Sequence, residues 1–376
     1  MLNTLLTCTA LLTTTMLSAQ TDTTKEKYLL IGTYTKSADE GINVYAFNTT
    51  TGTLRYVSTA KGVDNPSYLV IAPDQQHVYS VNENNEGGVS AFEWDTVSGN
   101  LTFLNKQVSG GASPCYITTD ADGKYVIVGN YSGGSLSVLP VRNDGRIDAP
   151  VQTIEHTGTG PNKERQEKPH VHCTVFGPDK KTLYVSDLGI DQIVIYNYKQ
   201  GDVLPLVPAD TGYAALNPGA GPRHITFHPN GKWAYVIHEL DGKVTAFNYV
   251  RGRLIPFQTV STLPVAYKGP ISGADIHISP DGKFLYASNR DKLNNIVIYS
   301  IDRKNGQLAK KGEQPSGGKA PRNFMIDPDG NYLLVANQNT DNVVVFKRNK
   351  LTGLLKPTGQ EIKVPKPVCL KMIGTN

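Results

Sequence analysis

Apolar positions in this chain come in short runs flanked by residues that favour turns. "KYVIVGNY" (124–131), "TLYVSDLG" (182–189), "KWAYVIHEL" (232–240) and "NYLLVANQ" (331–338) are all of this kind. No window keeps a 3.6-residue apolar period for three turns, so amphipathic helix is not expected. Runs of this length, rich in Val, Ile and Tyr, predict short buried strands, and the expected class is all-β.

The runs belong to a larger repeat. "NPSYLVIAPDQQHVYSVNE" starts at Asn65, "SPCYITTDADGKYVIVGNY" at Ser113 and "KPHVHCTVFGPDKKTLYVSDL" at Lys168. "GPRHITFHPNGKWAYVIHE" follows from Gly221, "GADIHISPDGKFLYASNR" from Gly273 and "APRNFMIDPDGNYLLVANQ" from Ala320. Each reads as strand, Pro-Asp-Gly-like turn and strand. The turn residues Asp74, Asp122, Asp179, Asn230, Asp281 and Asp329 lie 48, 57, 51, 51 and 48 positions apart. Four strands per unit at this period predict a β-propeller. Beyond the six copies, "KPVCLKMI" (366–373) resembles a first strand, and "KYLLIGTYTKSADEGINVYAF" (27–47) a second and third. The expected fold is therefore a seven-bladed β-propeller over residues 21–376, with four antiparallel strands per blade. N- and C-terminal strands share one blade, which removes the open sheet edges.

Composition narrows the function classes. The net charge of +4 over 376 residues is scattered rather than gathered into a basic stripe, which argues against nucleic acid as a partner. Residues 1–20, "MLNTLLTCTALLTTTMLSAQ", carry no charged side chain and end in a small-residue cleavage signature. They predict a secretory signal peptide and hence a periplasmic or secreted protein, although the first residues lack the usual Lys or Arg; separately, the chain is expected to be a monomer. An unstructured leader is the alternative, and Cys8 stands at a poor acylation site. No other segment is long and apolar enough to span a membrane. The mature chain keeps Cys115, Cys173 and Cys369, an odd number, so at least one is unpaired.

In each hairpin the start of the first strand lies beside the end of the second, at one face of the disc. Ser67, Cys115, His170, Arg223, Asp275 and Arg322 are expected at those starts, and Glu83, Tyr131, Asp187, Glu239, Arg290 and Gln338 at those ends. Polar groups would thus gather at one mouth of the channel. Side chains two apart on a strand share a side, so His170 pairs with His172, and Asp275 with His277. Cys173 faces the other way, into blade packing, which weakens a zinc reading of "HVHC"; a His-plus-carboxylate metal set is the less favoured alternative. Glu83, Asp187 and Gln338 read as clasps between blades. His170, His172, Arg223, Glu239, Asp275, Arg290 and Arg322, in consecutive blades, read as a site.

"PHVHCTVFGPDKKTLYVSDL", "GAGPRHITFHPNGKWAYVIHEL", "GADIHISPDGKFLYASNR" and "APRNFMIDPDGNYLLVAN" resemble the lactonase family of seven-bladed propellers, which includes bacterial 6-phosphogluconolactonases and fungal carboxy-muconate lactonising enzymes. The resemblance runs from about Tyr28 to Ile373. It implies a metal-independent, cofactor-free carboxylic ester hydrolase acting on a small-molecule lactone. Its catalytic set would be His172 or His170 with Arg223, Glu239 and Arg290, and Asp275, His277 and Arg322 are expected to bind substrate. These residue types suit the reaction: a base for water, cations for the oxyanion and a proton for the leaving alkoxide. An exported enzyme would meet an unphosphorylated sugar or sugar-acid lactone rather than a phosphate ester. The competing class is a non-catalytic propeller that binds carbohydrate or protein on the same face. Mass spectrometry of protein from its native host should find a mature terminus near Gln20 or Thr21; an intact Met1 would refute export by this leader.

Overall fold

The structure, a computed structural model, describes residues 26–374. Among them, 28 strands form seven four-stranded antiparallel sheets, and one 3₁₀ turn, Leu188–Ile190, is the sole helical element. The expected signal peptide lies outside the described residues. Blade 1 combines the termini: β28 (Pro367–Gly374) pairs with β1 (Glu26–Thr33), followed by β2 (Gly41–Asn48) and β3 (Leu54–Lys61). Seven blades and the shared blade are as the repeat predicted. No helix among the described residues is long and apolar enough to cross a membrane.

In the other blades the first strand of each repeat is innermost, and these strands neighbour one another around the channel. The inner hairpins that matter below are β12 (Val171–Phe176) with β13 (Thr182–Asp187), β16 (Pro222–Phe227) with β17 (Trp233–His238), β20 (Gly273–Ile278) with β21 (Phe284–Asn289), and β24 (Pro321–Ile326) with β25 (Tyr332–Asn337). All six residues of β13, β17, β21 and β25 are buried, because a sheet covers each face. That is why the sequence shows continuous apolar runs rather than alternation. Outermost strands such as β11 (Gln152–Glu155) alternate instead, with one edge in water.

The turn between the inner strands needs a left-handed residue after its Asp or Asn. Gly123, Gly231, Gly282 and Gly330 supply it with φ of 66–68°, whereas Gln75 and Lys180 adopt it at 58° and 57°. Side chains with a Cβ pay a steric cost there. The side-chain oxygens of Asp74, Asp179, Asn230 and Asp281 accept backbone N–H groups two residues on and hold the turn.

Tyrosines on the second strands bolt neighbouring blades together. Tyr184 Oη donates to Gly252 O, Tyr235 to Gly306 O and Tyr286 to Gly353 O, each at 2.8 Å, and Tyr332 donates to Thr50 O at 2.7 Å. In each case the acceptor lies in an outer turn of the next blade, so the ring is closed by the same contact across the termini. Tyr286→Phe should leave a buried carbonyl unpaired, cost about 1 kcal/mol and lower Tm by about 2 °C. An unchanged Tm in a calorimetric scan would show that the bolt contributes nothing.

Candidate active site at the channel mouth

A backbone irregularity builds the site. In blades 3, 4, 5 and 7 the innermost strand slips register by one residue at the mouth, between Pro114 and Tyr116, Val171 and Cys173, Pro222 and His224, and Pro321 and Asn323. The extra residue, Cys115, His172, Arg223 or Arg322, leaves the ladder, and a bulge of this kind re-aims its side chain. In blade 6 the slip spans Ala274 and Asp275, so Ala274 takes the place that Arg223 holds in blade 5.

This corrects the expected register: His172, not His170, is the equivalent of Arg223 and Arg322, and Asp275 falls one place too deep. The second strands contribute the first residue beyond their ends: Tyr34, Glu83, Tyr131, Glu239 and Arg290. The strand-terminal residue itself is a clasp. Asn82 Nδ2 donates to Asp64 O at 2.8 Å and Asn337 Nδ2 to Ser316 O at 3.1 Å. Asp187 has the same place, accepting from His170 N at 2.7 Å and meeting His156 Nδ1 at 2.7 Å.

Together these residues enclose a cavity of about 430 Å³ at the mouth. Its walls include His172, Glu239, Arg290, Arg322 and Glu83. Arg165, Tyr131, Tyr34 and Cys115 also line it, as does a third carboxylate, Asp291. Glu239 is the centre of charge. Arg165 Nη2 lies 2.6 Å from Oε1, while Arg223 Nε and Arg290 Nη2 each lie 2.9 Å from Oε2. Burial by itself would raise this carboxyl's pKa, but Arg290, Arg223 and Arg165 overrule it and hold Glu239 far below the usual carboxylate range.

The arginines are unequally satisfied. Arg223 is buried and its Nη1 also donates to Ala274 O at 2.6 Å. Arg290 keeps a buried Nε with no partner, and burial pushes its pKa down to about 10, so it remains cationic at neutral pH. Arg322 stands 5.4 Å over the Tyr34 ring, and its nearest carboxylate oxygen, on Glu83, is 3.9 Å away. Among the described residues it makes no direct hydrogen bond. Glu83 does clasp blades, meeting Ser67 Oγ and Tyr34 Oη, the latter at 2.9 Å. It also lines the cavity, where sequence placed it outside the cluster.

The two histidines of "HVH" flank Tyr131 and do different things. His172 faces the cavity, with its ring edge-on to Tyr131 at 5.4 Å and Nδ1 3.8 Å from Cys115 Sγ. Burial first, then Arg223, His224 and Arg322, hold its pKa well below the ordinary imidazole value. His170 stacks on Tyr131 at 4.5 Å, and both its nitrogens are engaged, by Tyr131 O and Glu167 Oε1, each at 3.1 Å. It lies behind the wall. Cys173 packs in the blade core, as alternation requires.

Asp275 and His277 do not reach this cavity. They line a second space of about 270 Å³ further along the channel, with His224, Tyr68, Tyr116 and Lys371. Among the described residues no group of three or more His, Cys, Asp or Glu is placed to hold a metal ion.

Repeat-based reasoning missed Arg165, because it belongs to a loop outside the repeat. Gln166, fully buried beside it, anchors that loop by donating to Leu188 O at 2.9 Å and Asp191 Oδ1 at 2.7 Å. The signal was the 57-residue spacing between the turns at Asp122 and Asp179, longer than the others.

Fold and site define a seven-bladed propeller with an arginine-rich, water-accessible cavity at one mouth of its channel. The chain belongs to the lactonase family of seven-bladed β-propellers, whose family model matches residues 28–372. It is 38% identical over 351 residues to a 6-phosphogluconolactonase of Bacillus subtilis, covering 92% of this chain and 99% of that protein. To a 6-phosphogluconolactonase of Formosa agariphila it is 39% identical over 354 residues, with the same coverage of 92% and 99%. The solved structure of a Pseudomonas aeruginosa periplasmic gluconolactonase superposes with a TM-score of 0.89 at 35% identity, covering 93% of this chain and 100% of that one.

Glu239→Gln leaves two largely buried guanidinium groups, of Arg223 and Arg290, and the half-exposed one of Arg165 short of an anion, and should cost about 3 kcal/mol at pH 7. Because the folded carboxyl is held below its ordinary value of 4.5, the stabilisation is complete above that pH and is lost as pH falls. The gap between wild type and variant, read from urea unfolding, should shrink by about 1.4 kcal/mol per pH unit below 4.5. A gap independent of pH would show that Glu239 is not held as an anion.

Proposed function

We propose that the protein is a lactone hydrolase that opens a sugar lactone bearing an anionic group, with His172 as the base and no metal. The observation that carries this reading is the charge count at the mouth. Four arginines, Arg165, Arg223, Arg290 and Arg322, stand against three carboxylates, Glu83, Glu239 and Asp291, and Arg290 Nε and the Arg322 guanidinium keep donors without a partner. A site with excess buried cations favours a substrate anion and an oxyanion alike.

The geometry supports the following steps. Water attacks the lactone carbonyl carbon as His172 takes its proton. The carbonyl electron pair moves onto oxygen, where Arg290 stabilises it. Collapse breaks the ring C–O bond, and the imidazolium returns the proton to the departing alkoxide. Burial first, and then its cationic neighbours, make His172 a weak base; an anion bound on Arg290 and Arg322 offsets the neighbours and raises its basicity. Glu239 stays ionised and holds three arginines in place. It is a poor acid, and we assign it orientation rather than proton transfer.

The leader at residues 1–20 supports an exported enzyme, and the relative from Pseudomonas aeruginosa is described as periplasmic. Both favour an unphosphorylated lactone, and the excess of arginine favours one that carries a carboxylate. The names of the Bacillus and Formosa relatives favour a phosphorylated gluconolactone as the second reading. A panel of neutral, carboxylated and phosphorylated sugar lactones, measured above spontaneous hydrolysis, separates the two. Arg290→Met and His172→Asn should each lower kcat/KM by about 10²-fold, the scale of losing one oxyanion donor or a general base. Tyr286→Phe, at the opposite face, should leave it unchanged per folded molecule. Binding of a sugar acid without acceleration of any lactone would instead favour the non-catalytic binding propeller.

A further inference from the structure

Asp275 was expected to bind substrate, yet its carboxylate is occupied from every side. His224 Nδ1 lies 2.7 Å from Oδ1 and His277 Nε2 lies 2.9 Å from Oδ2. Asn323 Nδ2 and Phe324 N donate to Oδ2, and Ile276 N donates to Oδ1. The group is buried and ionised: burial opposes this, but His277 and His224 hold its pKa well below the usual range. Such an acceptor has one consequence for His224. Its Nδ1 must carry the proton, which leaves Nε2 as a bare acceptor.

Arg223 Nη1 lies 3.3 Å from that Nε2. The opposite tautomer would set an Nε2–H against the guanidinium N–H and a lone pair against the carboxylate, two repulsive contacts in a buried place. Arg223 is otherwise held by Glu239 on its Nε edge and by Ala274 O on Nη1. The second hydrogen of Nη1 therefore goes to His224, and the guanidinium plane has no rotational freedom. The His224 ring also meets His172 edge-on, with centroids 5.3 Å apart.

We propose that Asp275 is a positioning residue: by fixing the Nδ1–H tautomer of His224 it orients the Arg223 guanidinium and backs the His172 ring. The proposal rests on the lactonase reading for its kinetic consequence, but not for its hydrogen-bond chain. Burial and Arg223 push the His224 pKa down to about 4, in keeping with a neutral ring at neutral pH.

Two kinds of measurement test it. His224→Gln puts an amide oxygen near the place of Nε2, whereas His224→Leu offers no acceptor. His224→Leu should lower kcat by about 10-fold or more with KM within about 2-fold, and His224→Gln should stay within about 3-fold of wild type. A role in stability alone predicts that both lower Tm and neither changes kcat per folded molecule, which would overturn the proposal. Separately, ¹⁵N-histidine NMR of the wild type, with His224→Gln used for assignment, should show Nδ1 protonated and Nε2 free. Asp275→Asn should weaken that preference. An Nε2–H tautomer in the wild type would also overturn the proposal. If the wild type hydrolyses no lactone, the functional reading fails on its own, and the nitrogen spectrum still decides the hydrogen-bond chain.

Discussion

One buried carboxylate, Glu239, holds three arginines from three different parts of the chain. Arg223 comes from the inner strand of the same blade, Arg290 from the next blade, and Arg165 from a loop before blade 4. Without that anion, three guanidinium groups would share a cavity wall with mutual repulsion and costly desolvation. With it, their planes are fixed, and the charge left over is still positive. Cationic donors aimed at a space where negative charge develops, and unable to relax away from it, are what acyl-transfer chemistry needs.

The propeller makes this arrangement possible. Adjacent sheets bury the second strands on both faces, and tyrosine-to-carbonyl bolts fix the outer turns, so the inner strands have a rigid frame. Bulges at the mouth then release one residue per blade from the ladder. Their side chains approach the channel axis at angles that a regular pleat would not give. Blades 2, 3, 6 and 7 use strand-terminal Asn82, Asn130, Asn289 and Asn337 to tie down the preceding loops. Clasp and site residue are therefore neighbours in sequence with different duties.

Much of this was legible in the residues. The spacing of the Pro-Asp-Gly turns determined the blade number, and the strand-like tail at 366–373 foretold closure with the N-terminus. Arg223, Glu239, Arg290 and His172 were brought together because hairpin geometry sets strand starts beside strand ends. Bulges were not legible, since one inserted residue has no signature in a sequence without regular alternation. Their effect was to exchange His170 for His172 and to place Asp275 behind the wall rather than in it. Glu83 was read only as a clasp because blade 2 is distant in sequence from blades 4 to 7. Around a closed ring, however, it faces Arg322 of blade 7. Arg165 escaped because no repeat supplies a register for an inserted loop.

The most direct measurement is a crystal structure of the protein soaked with an aldonate, the ring-opened form of a sugar lactone. Its carboxylate should lie within hydrogen-bond distance of Arg290, with C1 against the His172 ring and a second anionic group, where the ligand carries one, on Arg322. An aldonate bound away from this cavity, or held to His172 through a metal ion, would contradict hydrolysis by a metal-free, arginine-lined site.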